Sequence, residues 1–318
     1  MTSAALPPEA LPPHALPSHA LPPDISAADF DALHDHLPAW RGVIDCLAAE
    51  HSAEPVVQMA AGTVMVALLG STLALKLYPP FLRDHFEFDC AMLERVGGRL
   101  QVPTPVLLKT GEFQGWPWLL MSQLPGEALS AIWPALNEPA KCALLLTLGA
   151  LAAEVHALPV ADMASHAPPW ADFLAAQRAQ CHGRQQRTGL PPHLLQQLDG
   201  FVQGEVPKGQ AVILPGEYTP MNLLASQGRL SGMFDFGDGL VGPREYDWLG
   251  PMCLLAAGSA SRCSAFLGGY GATLNAAQRL ALLRLLLLHR YSNLPLQIAV
   301  PGWQQAASFE ELAAVIWP

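Results

Sequence analysis

The chain has 318 residues, 51% of them hydrophobic, and a formal net charge of -10 at pH 7. This length and apolar content suit one large or two modest folded domains. The charge argues against a nucleic-acid partner, because the sequence has no clustered Lys and Arg to neutralise phosphates, and it fits a cationic or neutral small substrate somewhat better.

Cysteine spacing and apolar runs predict the compartment. The six cysteines are scattered without a C-x-x-C pair, which disfavours a zinc site or a disulfide framework and favours a reducing cytoplasm. The most apolar run, residues 283–291, carries Arg284, His289 and Arg290, so it predicts a core helix and no membrane span. No basic segment followed by an apolar one opens the chain, and we expect no secretory signal.

Residues 5–24 read ALPPE-ALPPH-ALPSH-ALPPD, a five-residue repeat. Proline removes backbone donors and fixes φ, so the repeat is typical of an extended polyproline-like segment. We predict that residues 1–28 form a disordered tail, with an interaction arm as the alternative.

The next segments predict a small sheet with one helix. The stretch "PVVQMAAGTVMVALLGSTLALKLYPP" is broken at Gly62 and Gly70, which predicts three short strands. "FLRDHFEFDCAMLERVGG" has apolar residues at helical spacing and ends in a double glycine. "VPTPVLLKTGEFQGWPWLLMSQLPG" predicts two further strands joined by a glycine turn.

The remainder is predicted to be mainly helical. Apolar periodicity predicts helices at residues 139–157, 167–183, 191–203, 245–258, 262–270, 276–292 and 308–316. Between them, residues 213–240 alternate around turns as a pair of hairpins would. The predicted fold class is therefore α+β, with a small β-rich N-terminal lobe (29–124), a large mainly helical C-terminal lobe (125–318) and a cleft near their seam at 122–127.

Some residues suit phosphoryl transfer, which needs a cation on the nucleotide phosphates, oxygen ligands for Mg²⁺ and a carboxylate at the acceptor hydroxyl. Lys76 ends a predicted strand, and Glu87 or Asp89 of the next helix is placed to pair with it. The turn at Gly62 and Thr63 offers backbone N–H groups to the phosphates. Taken alone, Lys76 is better explained as an ordinary surface lysine, Glu87 and Asp89 are equally explained as solvated helix charges, and one glycine is a weaker signal than a full Gly-rich loop.

A stronger pattern lies in "ILPGEYTPMNLLASQGRLSGMFDFGDGL". Glu217 is followed five residues later by Asn222, and Asp235 stands where an apolar strand breaks at Gly237. This order predicts one catalytic base, Glu217, and two metal ligands, Asn222 and Asp235, around one phosphate position.

This pattern resembles the catalytic and metal loops of the aminoglycoside phosphotransferase and choline kinase-like family, which has a protein-kinase-like fold. Four other segments resemble that family in the right order: "ALKLYPP", "LLMSQLPGEAL", "LGALAAEVHALP" and "VGPREYDWLGP" with the structural Asp247. The resemblance implies a two-lobe kinase-like architecture from about Val56 onward.

The resemblance also implies roles. Lys76 would bind phosphate, and the hinge would present backbone groups of Met121, Ser122 and Gln123 to the purine of ATP or GTP. Asp89 falls where the lysine's acidic partner is expected, and Glu87 lies two residues earlier, so both stay candidates. Asn222 and Asp235 would hold Mg²⁺.

Two residues depart from the family's loop. Pro215 replaces a histidine that supports the loop, and Glu217 replaces the aspartate base. We interpret Glu217 as a variant base, because the candidates for nucleotide and metal binding are retained. His156 is interpreted as a buried histidine with a hydrogen bond.

The predicted function is a cytoplasmic Mg²⁺-dependent O-phosphotransferase that moves the γ-phosphate of ATP or GTP to a hydroxyl of an aminoglycoside-like or other small metabolite. The alternatives are a pseudokinase that acts as a nucleotide-binding or interaction module, and a kinase for choline, homoserine or a sugar. No nucleic-acid or membrane partner is expected, and the oligomeric state is open.

Overall fold

The computed structural model describes residues 20–216 and 218–318. They form two compact units. The first holds the described residues up to Phe86 together with Leu107–Gln123, and the second holds Glu87–Val106 and Leu124–Pro318. The first unit is rich in strands and the second is mainly helical, which confirms the predicted α+β class. Residues 87–106, which we expected in the N-terminal lobe, belong to the helical unit.

The first unit is built on a five-stranded antiparallel sheet in the order β1-β2-β3-β5-β4. Its strands, all predicted from the sequence, are β1 (Val56–Ala61), β2 (Met65–Leu69), β3 (Leu73–Leu77), β4 (Leu107–Phe113) and β5 (Trp116–Ser122). β3 is central, and its Lys76 lies opposite Val66 on β2 and Leu119 on β5. Strand pairing on both sides fixes the backbone of Lys76.

Two helices precede the sheet and were missed by the sequence prediction: α1 (Ala27–His34) and α2 (Leu37–His51). The Ser26 side chain caps α1 by accepting a hydrogen bond from the Asp29 amide. One face of α2 is apolar and buried, with Trp40, Val43, Ile44, Leu47 and Ala48 at helical spacing. Trp40 packs edge-on against Trp116 of β5, with 5.6 Å between ring centroids. The two helices therefore complete the core of the sheet.

Residues 20–28 differ from the predicted disordered tail, whereas residues 1–19 lie outside the described residues. Leu21 is buried in the core of the sheet, and its amide donates to the Gln114 side chain at 2.8 Å. The Trp116 indole donates to the Pro22 carbonyl at 2.9 Å. Proline removes a donor but keeps its acceptor, so the last copy of the repeat can still pack and form hydrogen bonds.

The helices of the second unit include the seven predicted from the sequence and two single-turn helices that were missed. α3 (Arg83–Val96) spans the boundary between the units, and the others are α4 (Leu129–Ile132), α5 (Glu138–His156), α6 (Trp170–Thr188), α7 (Pro192–Val202), α8 (Glu245–Leu254), α9 (Ala260–Tyr270), α10 (Ala276–Leu288), α11 (Leu294–Gln297) and α12 (Phe309–Ile316). The apolar run at 283–291 lies mostly in α10, whose leucines are buried, as predicted. None of the helices in the described ranges is long and apolar enough to span a membrane.

Five short strands surround the two candidate loops: β6 (Glu127–Ala128), β7 (Ala211–Leu214), β8 (Leu223–Ser226), β9 (Arg229–Met233) and β10 (Leu240–Pro243). β8 and β9 form a hairpin, and β6 pairs with β8. β7 pairs with β10, with Leu214 opposite Leu240, so the predicted pair of consecutive hairpins is wrong. The β8–β9 hairpin therefore lies between β7 and β10 in the chain. Residues 215–222 connect β7 to β8, and residues 234–239 connect β9 to β10, so both loops join the same two strand pairs.

Helices α5 and α9 pack closely at two glycines. A Cβ on Gly149 of α5 would clash with the Phe266 carbonyl oxygen, and a Cβ on Gly269 of α9 would clash with the Leu146 carbonyl oxygen. Only glycine allows two helix backbones to come this close.

We expect Gly149→Ala to lower the free energy of unfolding by about 1–3 kcal/mol, because the added methyl group must push α9 away from α5. Gly268→Ala is the matched control: Gly268 is a helical glycine of the partner helix α9, but no atom lies within 4 Å of its added Cβ. The control should leave stability unchanged or raise it, since Ala favours helix over Gly. Thermal melting of both variants tests this, and equal melting temperatures would contradict the close contact.

Candidate functional site

The loop between β7 and β8 carries the predicted base, but Glu217 lies outside the described residues. Its neighbour Gly216 has φ of 112°, and a Cβ there would lie 3.2 Å from the carbonyl carbon of Asp238. The two candidate loops are therefore in contact at this point. On the other side of Glu217, the Asn222 amide donates to the Thr219 carbonyl at 3.1 Å, which closes a tight turn.

Asn222 and Asp235 are brought together by the β8–β9 hairpin. Asn222 directly precedes β8, and Asp235 follows β9 by one residue. Leu223 lies opposite Met233, and the Phe234 amide donates to the Asn222 carbonyl at 3.1 Å. The two residues predicted as metal ligands thus lie at the same end of one hairpin.

The donor chemistry of this pair suits Mg²⁺, which prefers oxygen ligands and usually keeps several from water or phosphate. One amide oxygen and one carboxylate would hold the ion, and a nucleotide would supply further oxygen ligands. Within the described ranges, no group of three or more His, Cys, Asp or Glu side chains is arranged to hold a metal ion. A site that gains its remaining ligands from substrate phosphates does not require such a group.

Asp235 adopts a left-handed backbone, with φ of 73°, and its side chain is exposed. Asp tolerates this region better than most residues, although it still costs free energy. The following residues are anchored to α3. The Phe236 amide donates to Asp89 Oδ1 at 3.4 Å, and Gly239 packs so closely on the Phe88 ring that no Cβ fits.

Burial distinguishes the two candidate partners of Lys76. Asp89 is 1% exposed, and its carboxylate accepts a hydrogen bond from the Phe236 amide in the loop at residues 234–239. Glu87 is exposed and lies 4.0 Å from the His166 ring. Lys76 itself is 3% exposed, so it is not an ordinary surface lysine. Asp89 is therefore the better candidate, and its pairing with Lys76 stays a prediction.

The predicted nucleotide-contacting segments all lie in the first unit. Gly62 and Thr63 form the exposed turn between β1 and β2, where the Gly62 amide donates to the Val64 carbonyl at 3.2 Å. In the predicted hinge, Met121 and Ser122 are ladder residues of β5. The Gln123 amide donates to the Thr72 carbonyl at 2.7 Å, so this N–H is already used within the unit.

A buried polar chain lies beneath the loop that contains Glu217. His156 Nε2 lies 2.9 Å from Asp247 Oδ2, and its Nδ1 lies 2.9 Å from the Tyr270 hydroxyl. This confirms His156 as a buried, hydrogen-bonded histidine. Burial raises the pKa of Asp247 to about 6, against the opposing effects of His156 and of the Gly216 backbone. Burial also raises the pKa of Tyr218, with the Asp247 charge adding to it.

A cluster of aromatic residues and an arginine, which the sequence did not reveal, adjoins the metal loop. Tyr246 stacks on His289 at 4.7 Å between centroids, and Arg290 lies over the Phe173 ring at 5.2 Å. Burial lowers the pKa of His289 to about 3, with the Arg290 and Arg184 charges acting in the same direction. The hydrogen bond to the Tyr291 amide also requires a neutral His289 ring, because the unprotonated Nδ1 accepts from that amide at 3.2 Å.

We expect His289 to make the fold acid-sensitive. Its folded pKa of about 3 lies below the ordinary value of 6.5, so the unfolded chain binds one more proton between these values. Stability is complete above pH 6.5 and falls as the pH drops, by about 1.4 kcal/mol per unit. Denaturant melts of wild type and His289→Gln from pH 7 to pH 4 measure this. The variant should lose stability less steeply, and parallel curves would contradict a neutral His289.

Comparisons with known proteins agree with this architecture. The family described as "Phosphotransferase enzyme family" matches residues 60–286. The structure resembles aminoglycoside phosphotransferase APH(2'')-Ib with bound ADP, at a TM-score of 0.57 and 14% identity over 85% of this chain and 98% of that one. It also resembles the GDP and kanamycin complex of APH(2")-IIia, at a TM-score of 0.59 and 16% identity over 78% of this chain and 87% of that one.

A third similar structure is the macrolide 2'-phosphotransferase MphH from Brachybacterium faecium, with a TM-score of 0.52 and 18% identity over 80% of this chain and 95% of that one. No curated protein is a significant match in sequence. The class of protein is therefore a kinase-like phosphotransferase, as predicted. The chain belongs to the phosphotransferase enzyme family that its sequence resembles.

Proposed function

We propose that this protein is a Mg²⁺-dependent kinase that transfers the γ-phosphate of ATP or GTP to a hydroxyl group of a small molecule. The proposal depends on one observation in a chain of this family: Asn222 and Asp235 meet at the end of the β8–β9 hairpin. The ADP and GDP complexes among the similar structures support a nucleotide donor of either purine. Aminoglycoside and macrolide enzymes among them support a small hydroxylated acceptor.

Each candidate residue has a distinct part in this reaction. Lys76 steadies the nucleotide phosphates with its ammonium group. Asn222 and Asp235 would hold Mg²⁺, which when bound would supply positive charge to neutralise the phosphate oxygens. Glu217 orients the acceptor hydroxyl and takes its proton. Asp247, through the buried contact with His156, supports the loop on which Glu217 stands.

A glutamate base is compatible with this chemistry. Its side chain is longer than aspartate by one methylene, and a misplacement of about 1 Å can cost on the order of a hundredfold in rate. Phosphoryl transfer has a loose transition state in which positioning and electrostatics do most of the work, so a loop that has shifted with its base can restore the alignment. Pro215 in place of histidine indicates such an altered loop.

The nucleotide and metal site can be tested without knowing the acceptor. We expect ATP or GTP to raise the melting temperature only with Mg²⁺, because ligands that bind the folded state stabilise it by about 2.7 kcal/mol at a hundredfold excess over Kd. Asp235→Asn should abolish this shift. Asp199→Asn changes an exposed aspartate of α7 that pairs with His182, and it should keep the shift. Identical behaviour of the two variants would reject Asp235 as a metal ligand.

The base can be tested by turnover on a panel of acceptors that includes kanamycin, a macrolide, choline, homoserine and glucose. We expect Glu217→Gln to lower kcat by about 10²–10⁴-fold, as for the loss of a general base, and to keep the Mg²⁺-dependent nucleotide shift. Full activity in this variant would reject Glu217 as the base. A nucleotide shift in the wild type without turnover of any acceptor would favour the pseudokinase alternative, which Pro215 and Glu217 motivate.

A further inference from the structure

The chain's negative charge is unevenly distributed. The helical segments at 158–205 and 250–318, which include α6, α7 and α9–α12, contain seven Arg and six Asp or Glu. The whole chain has 17 Lys and Arg against 27 Asp and Glu, so its acidic excess lies elsewhere. The total of -10 therefore says little about the charge that an acceptor meets beside these helices.

Asp238 lies on the metal loop (residues 234–239). Its backbone contacts Gly216, so Asp238 is the acidic residue of this loop that borders the catalytic loop (residues 215–222). Its carboxylate is already engaged. The Tyr291 hydroxyl donates to Oδ1 at 2.9 Å, and Arg290 Nη1 donates to the same oxygen at 3.4 Å. Arg290 thus cancels the charge that would otherwise attract a cation to this side of the loop.

A second cation reinforces Arg290. Arg184 of α6 is only 9% exposed, and its guanidinium donates to the Gln177 side chain and to the Leu287 carbonyl at 2.9 and 3.4 Å. These partners are neutral, and no ion pair that the structure describes includes Arg184. Its positive charge acts on the same His289 ring as that of Arg290 does.

The remaining surface of the catalytic loop adds no acid. Tyr218 and Thr219 are buried, and Met221, the residue before Asn222, is 53% exposed and apolar. Tyr291 is 45% exposed beside Arg290. Apart from Asp238 itself and the proposed base and metal ligands, the described residues named here on or beside the two loops thus present arginine, aromatic and apolar groups.

We infer that the acceptor of this kinase is an uncharged or anionic hydroxyl compound, and that Arg290 is the residue that discriminates against cationic acceptors. The inference rests on the proposed function and narrows its substrate class. An ammonium group near Asp238 finds that carboxylate already neutralised by Arg290 and gains no attraction, whereas a hydroxyl or carboxylate accepts hydrogen bonds from the remaining N–H groups of the guanidinium. Polyamines such as aminoglycosides are therefore disfavoured.

The test compares acceptors that share one ring and differ in charge: glucose, glucosamine and glucuronate. Binding and kcat/KM are measured on the full chain with saturating Mg²⁺ and nucleotide. The wild type should favour glucose and glucuronate over glucosamine. Arg290→Gln should raise the glucosamine-to-glucose ratio roughly tenfold, because it uncovers the Asp238 carboxylate.

Three further variants separate charge from shape. Arg290→Lys keeps the positive charge and should keep the wild-type ratio. Arg284→Gln removes another arginine that lies over an aromatic ring, Phe201 at 4.6 Å, outside the Asp238 contact, and it should also leave the ratio unchanged. Combining Arg290→Gln with Asp238→Asn should return the ratio to that of the wild type, since the uncovered carboxylate is gone.

Preference of the wild type for glucosamine or kanamycin would overturn the inference, as would an unchanged ratio in Arg290→Gln. If none of the sugars binds to protein that still shows the Mg²⁺-dependent nucleotide shift, this inference alone is rejected. Loss of the nucleotide shift in the wild type would instead reject the proposed function itself.

Discussion

The register of the β8–β9 hairpin is the constraint on which the candidate site depends. Leu223 and Met233 face each other and are both buried, so the core fixes which residues of each strand point inward. A slip by one residue would turn every side chain to the opposite face and displace one strand by about 3.3 Å. Asn222 and Asp235 would then no longer share one end of the hairpin. Apolar packing within the hairpin thus sets the positions of the two residues proposed as metal ligands.

The loop that carries Glu217 needs a second kind of support, because strand pairing ends at Leu214. Asp247 provides it from α8, where burial is unfavourable for a carboxylate and its contact with His156 offsets part of the cost. The close crossing of α5 and α9 in turn places His156 beside Tyr270. The glycine contact between α5 and α9 therefore positions His156, His156 contacts the buried Asp247, and Asp247 contacts the loop at residues 215–222 through Gly216.

The strands and long helices could be predicted because their apolar residues repeat with the period of each element. α2 carries the same helical signal at Trp40, Val43 and Leu47, but the sequence prediction did not include this helix. The enclosing β7–β10 pair could not be inferred from local alternation, since it joins strands on either side of a complete hairpin. Likewise, nothing in the sequence marks the contact of Asp238 with Arg290, which lies 52 residues away.

The choice between Glu87 and Asp89 shows what helical periodicity can and cannot predict. Residues two apart on a helix point in opposed directions, so only one of them can face the core with Phe88 and Val96. The sequence does not say which of the two is buried. In the structure it is Asp89, whose carboxylate accepts from the Phe236 amide, and the pairing of Asp89 with Lys76 stays a prediction.

The same contact explains why Asp235 can hold an unfavourable backbone. A non-glycine residue with positive φ costs on the order of 1 kcal/mol or more, and the loop must be fixed on both sides for it to persist. The Phe234 bond to Asn222 fixes one side, and the Phe236 bond to Asp89 fixes the other. Glycine at 235 would relieve the backbone but remove the carboxylate that is proposed to hold the metal ion, so the loop accepts the cost of a left-handed aspartate.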